Sequence, residues 1–401
     1  MLLACSPQHD LSREGQGNVL TILAIGDAGL RGSDLRANAS LMTNMFTGQH
    51  DGGQFDALIF LGDNFYDIGL NVPANEVEGK VNSILDLFRV PIASLGRGKI
   101  HVVAGNHDYY ARHALETSVL FGLIDIEEGP VGLSDKGNER ERAIDRWSYY
   151  YDMPAQAFYR IEGESGDTLQ LVFFDSARLL RTKPARWRGA LDSLETLLRV
   201  AAHRPGIIWR ALCLHHPFVS LGEHAGYTVW NDETNTVEYL TPCDKDTNAV
   251  AWFKNLLDPE DLCADQYGRY IDSVRAVIGR SGAKIHILLS GHDHSLQLLY
   301  YPEQTVVCAE CPRVTIISGA GSKVSRVREA RPPREFTASQ QTREREGISR
   351  SGFAQLMFTK DRVRVVFFEG RTGESIDMGG GRKEFWIDRN GDLVGSEHKP
   401  L

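Results

Sequence analysis

The sequence predicts an α/β fold in which two mixed β-sheets pack face to face with helices outside them. Three observations carry that expectation. Strands and helices alternate in the first hundred residues, the middle is rich in short strands, and the last third is rich in them again.

Taken in order, Val19 to Ile25 is short and aliphatic, the pattern of a buried parallel strand, and it empties into Gly26-Asp27-Ala28-Gly29. Asp27 thus stands at a strand's carboxyl end, where open α/β sheets bind ligands. Leu35 to Phe46 has a helical period. The apolar run Asp56 to Leu61 is the next strand, and it ends in Gly62-Asp63-Asn64-Phe65-Tyr66. Asn75 to Phe88 is helical, and the strand Lys99 to Ala104 delivers Gly105-Asn106-His107-Asp108. A polar insertion, Glu127 to Arg146, precedes strands at Trp147–Tyr151, Phe158–Glu162 and Leu169–Asp175. Pro184 opens a helix that runs to Ala202, as Pro does near a first turn. Ile207 to Leu214 is a strand that leads into His215-His216-Pro217, with His224 nine residues beyond His215.

Thr228 to Gln266 is a second polar insertion, with one amphipathic piece at Ala249–Leu257. Tyr270 to Arg280 is a helix, and Lys284 to Leu289 a strand entering Gly291-His292-Asp293-His294. Further strands are expected at Leu296–Tyr301, Thr305–Cys308, Val314–Ser318, Phe353–Thr359 and Arg362–Phe368. Lys323 to Glu346, with seven Lys/Arg against four Glu, reads as a solvated loop. No internal repeat is found, and Arg371 to Leu401 receives no element.

Composition narrows the class. At 401 residues, 42% hydrophobic and 24% charged, the chain can bury a large core and reads as soluble and globular. A net charge of -9 argues against general binding of nucleic acid. No apolar run reaches the ~18 residues a membrane span needs. Leu2-Leu3-Ala4-Cys5-Ser6 matches the end of a bacterial lipoprotein signal, which would make Cys5 a lipid anchor; a chance match is the other reading. Among six cysteines, Cys308 and Cys311 form a C-x-x-C without the second pair a zinc site wants, so a local disulfide or two thiols are expected. Cys243 and Cys263 could close a loop, and Cys213 lies in an apolar run.

The chemistry gathers where these strands end. Asp63 can bridge two metal ions through its two oxygens, and a deprotonated Tyr66 is a hard anionic ligand that favours a trivalent ion. Each side chain has a plainer reading alone: Asp27 as a turn former, Tyr66 as packing, Asn106 as a turn residue, His292 and His294 as the polar face of a strand. Five such coincidences at strand ends together point to one site. His9, His50, His101, His113, His203, His286 and His398 receive no catalytic role.

The ordered set G-D-A-G at 26–29, G-D-N-F-Y at 62–66, G-N-H-D at 105–108, L-x-x-H at 212–215 and G-H-D-H at 291–294 resembles the five metal-binding blocks of the purple acid phosphatases, closest to the small tartrate-resistant type. That family belongs to the calcineurin-like metallophosphoesterases, and the resemblance implies their four-layer sandwich. The resemblance covers a catalytic domain over 18–370; the polar stretch before it reads as a flexible tether over 1–17, and 371–401 is an extension without a counterpart. In the implied site, Asp27, Asp63, Tyr66 and His294 hold Fe(III), and Asp63, Asn106, His215 and His292 hold Fe(II), Zn(II) or Mn(II). A bridging hydroxide completes it. Ligand charge gives the same asymmetry, because Asp27 and Tyr66 place negative charge on the first ion alone.

Ions of +3 and +2, less three anionic side chains and one hydroxide, leave roughly +1, which suits a small phosphorylated substrate. The expected function is therefore an acid phosphatase that hydrolyses phosphate monoesters, with a broader phosphodiesterase or nucleotidase as the alternative and a non-catalytic surface protein as the third. Many superfamily relatives carry D-x-H at the first block and lack the tyrosine; here Gly29 stands in that place and Tyr66 is present. Asn106, His107, His216 and His224 are the expected phosphate contacts, and His107 or His224, with His224 preferred, protonates the leaving alkoxide. Asp108 is expected to support the loop. Location is expected in the periplasm, at the cell surface or outside the cell.

Overall fold

The computed structural model describes residues 19–49, 55–67, 69, 72–109, 148–150, 154–161, 166–225, 228–231, 236–239, 260–262, 264–302, 308–340 and 347–395. Its strands in chain order begin with β1 (Leu20–Ile25), β2 (Ala57–Leu61), β3 (Ile100–Val103), β4 (Ser148–Tyr150), β5 (Ala155–Arg160), β6 (Thr168–Phe173) and β7 (Ile207–Cys213). They continue with β8 (Thr228–Asn231), β9 (Thr236–Tyr239), β10 (Ile287–Ser290), β11 (Leu296–Tyr300), β12 (Val314–Ser318), β13 (Arg326–Val327) and β14 (Glu335–Thr337). The last are β15 (Ser339–Gln340), β16 (Gly347–Ser349), β17 (Gly352–Phe358), β18 (Arg362–Glu369), β19 (Glu384–Asp388) and β20 (Leu393–Val394). The helices are α1 (Ser33–Phe46), α2 (Ala74–Leu85), α3 (Arg89–Leu95), α4 (Ser176–Arg181), α5 (Arg188–Ala202) and α6 (Asp265–Ser281).

Two large sheets form, with strand orders β20-β19-β18-β17-β1-β2-β3-β4 and β14-β11-β12-β10-β7-β6-β5. The strands that lead to the site, β1, β2, β3, β7 and β10, run parallel to their neighbours, and β17 and β11 start the antiparallel flanks. Parallel strands must be covered on both faces, and β1 shows how the sequence does it. Ile22 and Ala24 point into the layer between the sheets with Ile59, Leu171, Ala211, Leu289 and Ile316. Leu23 and Ile25 point the other way, onto Leu35, Met42 and Met45 of α1. The far face of the second sheet, through Val172, Leu212 and Leu288, packs on α5 and α6. The result is the expected helix, sheet, sheet, helix sandwich.

Two stretches differ from expectation. Within Lys323–Glu346, β14 closes the second sheet against β11 with Phe336 buried, and β13 and β15 join β16 in a small third sheet. Single apolar residues spaced among arginines carried too little pattern to be read as strands. In the tail, β19 and β20 add to the first sheet, where Trp386 pairs with Arg364 of β18 and lies under the Arg362 guanidinium at 4.0 Å. Cys308 and Cys311 form a disulfide, and Cys213 is buried. Cys5, the tether, Glu127–Arg146, Ala249–Leu257, Cys243, Cys263 and the strand at 305–307 lie outside the described residues. No helix among the described residues is long and apolar enough to cross a membrane.

Candidate metal centre

The turns after β1, β2, β3, β7 and β10 meet at one point between the sheets. Each opens close against another, which is why four of the five begin with glycine. A Cβ on Gly62 would lie 2.3 Å from His215 Nδ1, and one on Gly105 would lie 2.2 Å from the Asp63 nitrogen. The residues that follow pay in backbone conformation: Asp27, Asp63 and His292 hold φ of 55°, 52° and 71°, a region L-residues avoid. Such strain persists only where surrounding structure imposes it, and it gathers at functional sites.

Two donor groups result. Asp27, Asp63 and His294 bring ligand atoms within 4.8 Å of one another, and so do His215, His216 and His292. The Tyr66 hydroxyl joins the first group, 2.9 Å from Asp27 Oδ1, 2.8 Å from Asp63 Oδ2 and 3.1 Å from His294 Nε2. Asn106 joins the second, its Oδ1 3.0 Å from His215 Nε2. Asp63 divides its oxygens between them: Oδ2 faces Tyr66, and Oδ1 lies 3.5 Å from His215 Nε2.

This donor set fits a pair of cations. One phenol proton can satisfy only one of the two carboxylates in reach, so two acceptors crowd one donor at the first position. The imidazoles are fixed in orientation by the backbone. His215 Nδ1 donates to Leu61 O at 2.7 Å and His292 Nε2 to Glu260 O at 3.0 Å, which leaves the other nitrogen of each ring as the acceptor. His294 Nδ1 is 3.1 Å from Ser325 Oγ, and its Nε2 faces Tyr66.

Electrostatics agrees. Burial pushes the protonation of His215, His216 and His292 down and that of His294 down to about 3, so all four are neutral, the form that binds metal. Burial and then Asp63 push Asp27 up. Burial works against the charge of Asp63 too, but attraction to the cationic forms of His215 and His107 lowers it to about 2. Burial, with Asp27 and Asp63, drives the Tyr66 phenol well up. A phenolate there requires a strongly charged cation.

Around this core, the His107 N–H donates to Asp63 Oδ1 at 2.9 Å, and its ring Nδ1 donates to Asp67 O at 2.7 Å. His107 Nε2 lies 3.9 Å from Asp63 Oδ2. His224 stacks on His292 with ring centroids 4.1 Å apart. Both are partly exposed at the mouth. His216 has no exposed surface: its ring meets Ser176 Oγ at 3.0 Å and lies against His292. A phosphate contact from His216 would therefore have to reach past the His292 ring.

Asp108 does support the loop, taking N–H groups from Asn64, Phe65 and Gly105. Sequence reasoning passed over Asp293, which is fully buried and accepts the His224 N–H at 3.0 Å, although it stands between His292 and His294. It also passed over Ser322, Lys323 and Ser325, whose hydroxyls and ammonium reach Asp27 O, the Tyr66 ring and His294. Nothing in that basic stretch marks them.

The calcineurin-like phosphoesterase family model matches residues 20–296, and the chain belongs to that family of metal-dependent phosphoester hydrolases, which use a binuclear metal centre. Among solved structures, PhoD is similar at TM-score 0.49 and 11% identity over 94% of this chain and 72% of that one. GAP50, the anchor in the inner membrane complex of Plasmodium, is similar at TM-score 0.48 and 13% identity over 91% and 90%. YfkN from Bacillus subtilis, a calcineurin-like phosphoesterase, gives TM-score 0.29 and 12% identity over 86% and 91%. Identities this low say nothing of substrate. No curated protein matches the sequence.

Proposed function

We propose that the chain is a phosphomonoesterase of the purple acid phosphatase type. Asp27, Asp63, Tyr66 and His294 would hold Fe(III), and Asp63, Asn106, His215 and His292 would hold Fe(II), Zn(II) or Mn(II). One observation carries this reading: the Tyr66 oxygen lies within 3.1 Å of Asp27, Asp63 and His294, while residue 29 is a glycine with no imidazole to offer. Three anionic donors at the first position against one shared carboxylate at the second favour a trivalent ion beside a divalent one.

Bound there, the ions would supply Lewis acidity toward the phosphoryl oxygens and would acidify a water. The protein does the rest. His107, its ring oriented by Asp67 O, and Asn106 are the proposed contacts for the phosphate. His224, held through its backbone by Asp293, is the group proposed to protonate the departing alkoxide. A leaving group that must receive a proton, and a ferric ion that would acidify its water, put the expected optimum below neutrality.

The Cys308–Cys311 disulfide supports a location outside the reducing cytosol, in the periplasm, at the cell surface or beyond it.

Metal analysis with a visible spectrum tests the assignment. The purified protein should contain iron, show a tyrosinate-to-iron band and release phosphate from p-nitrophenyl phosphate. Tyr66→Phe should bleach that band. A colourless protein that binds only divalent ions after oxidation would replace this reading with a broader divalent-metal phosphodiesterase.

A further inference from the structure

Lys323 sits on the outer face of the Tyr66 ring. Its Nζ is 3.4 Å from the ring centroid, and its one carboxylate neighbour among the described residues, Asp67, lies 3.6 Å away and is 77% exposed. The lysine is not a loose surface group. The preceding Ser322 hydroxyl donates to Asp27 O, and two residues on, the Ser325 N–H donates to His294 O at 2.8 Å while its Oγ meets His294 Nδ1. The backbone that carries Lys323 is thus pinned on both sides to residues of the first metal position, and its side chain is only 26% exposed. His107 occupies another side of the same ring, with centroids 4.4 Å apart.

We propose that Lys323 tunes the bond between Tyr66 and the ferric ion, an inference that rests on the ferric reading above. A fixed positive charge on the face of a phenolate lowers the energy of its π electrons. The phenolate then donates less strongly to the metal, so the charge-transfer band moves to higher energy and the ferric state becomes easier to reduce. Residues behind the ligands commonly set the electronic character of a metal site in this way. Asp67 acts in the opposite sense, more weakly, because it is exposed and screened. Lys323 is a positioning and tuning residue; it need not touch substrate.

The experiment uses full-length protein loaded with iron, comparing the wild type with Lys323→Gln, Lys323→Arg and Asp67→Asn. Near-ultraviolet circular dichroism confirms that each is folded. Removing the charge should move the visible band to longer wavelength by on the order of tens of nanometres. Lys323→Arg should restore the wild-type position, and Asp67→Asn should shift the band the other way by less. The reduction potential of Lys323→Gln should fall. A coloured wild type whose band does not move in a folded Lys323→Gln overturns the tuning role alone. A wild type that stays colourless with iron bound overturns the ferric reading and this inference together.

Discussion

Asp108→Asn is the sharpest test of how the site is built, because Asp108 clamps the turn after β2 to the turn after β3. Its buried carboxylate accepts from Gly105 N and Asn64 Nδ2 on one oxygen, each at 2.8 Å, and from Asn64 N and Phe65 N on the other, at 3.0 and 3.2 Å. An amide keeps one oxygen and turns its own N–H groups toward two donors. Two hydrogen bonds to a charged group, at about 1.5–3 kcal/mol each, are then lost, so about 3–6 kcal/mol of stability should go. That is a large share of the ~5–15 kcal/mol that holds a typical fold. Urea unfolding at neutral pH reads the loss as a lower midpoint. The same turns carry Asp63 and Asn106, so dialysed protein should also retain less metal. An unchanged midpoint with full metal content would show that Asp108 does not hold the turns together.

Other perturbations follow from the same geometry. Burial lowers His101 to about 4 and His286 to about 3, so the unfolded chain binds protons that the folded one refuses. Stability is full above the unfolded pKa near 6.5 and falls as pH drops toward those folded values, by about 2 kcal/mol per histidine at pH 5. Urea midpoints at pH 7.5 and 5 measure it, and a flat profile would refute it. Gly105→Ala would press a methyl group on Asp63 N at 2.2 Å and Oδ1 at 2.3 Å; about 1–3 kcal/mol of stability and much of the bound metal should be lost, read by unfolding and metal analysis. Asp293→Ala removes the acceptor of the His224 N–H, and the displaced imidazole should cost about 10- to 100-fold in kcat with metal content kept. Equal kcat in that variant would remove His224 from the proton-transfer role.

Much of the site was legible because chain connectivity alone creates it. A buried parallel strand that ends in Gly-Asp or Gly-His presents its next side chains at the sheet's edge, and five such ends on neighbouring strands leave little freedom about where they meet. Asp27, Asp63, Tyr66, Asn106, His215, His292 and His294 do come together. The sandwich was legible for a similar reason, since period-two and period-3.6 patterns are local properties. His216 was less so: it was expected as a phosphate contact, yet its ring is buried against Ser176 and His292.

By itself, then, the sequence determined which strand ends carry the candidate ligand residues, and in what order, because those facts depend on only a few consecutive residues. Tertiary structure alone decided that Asp63 turns one oxygen to each donor group, that Asp293 holds His224, that Lys323 covers Tyr66, and that β14, β19 and β20 complete the sheets. Each of these joins segments whose register is set by packing across the whole core, and no local pattern encodes it.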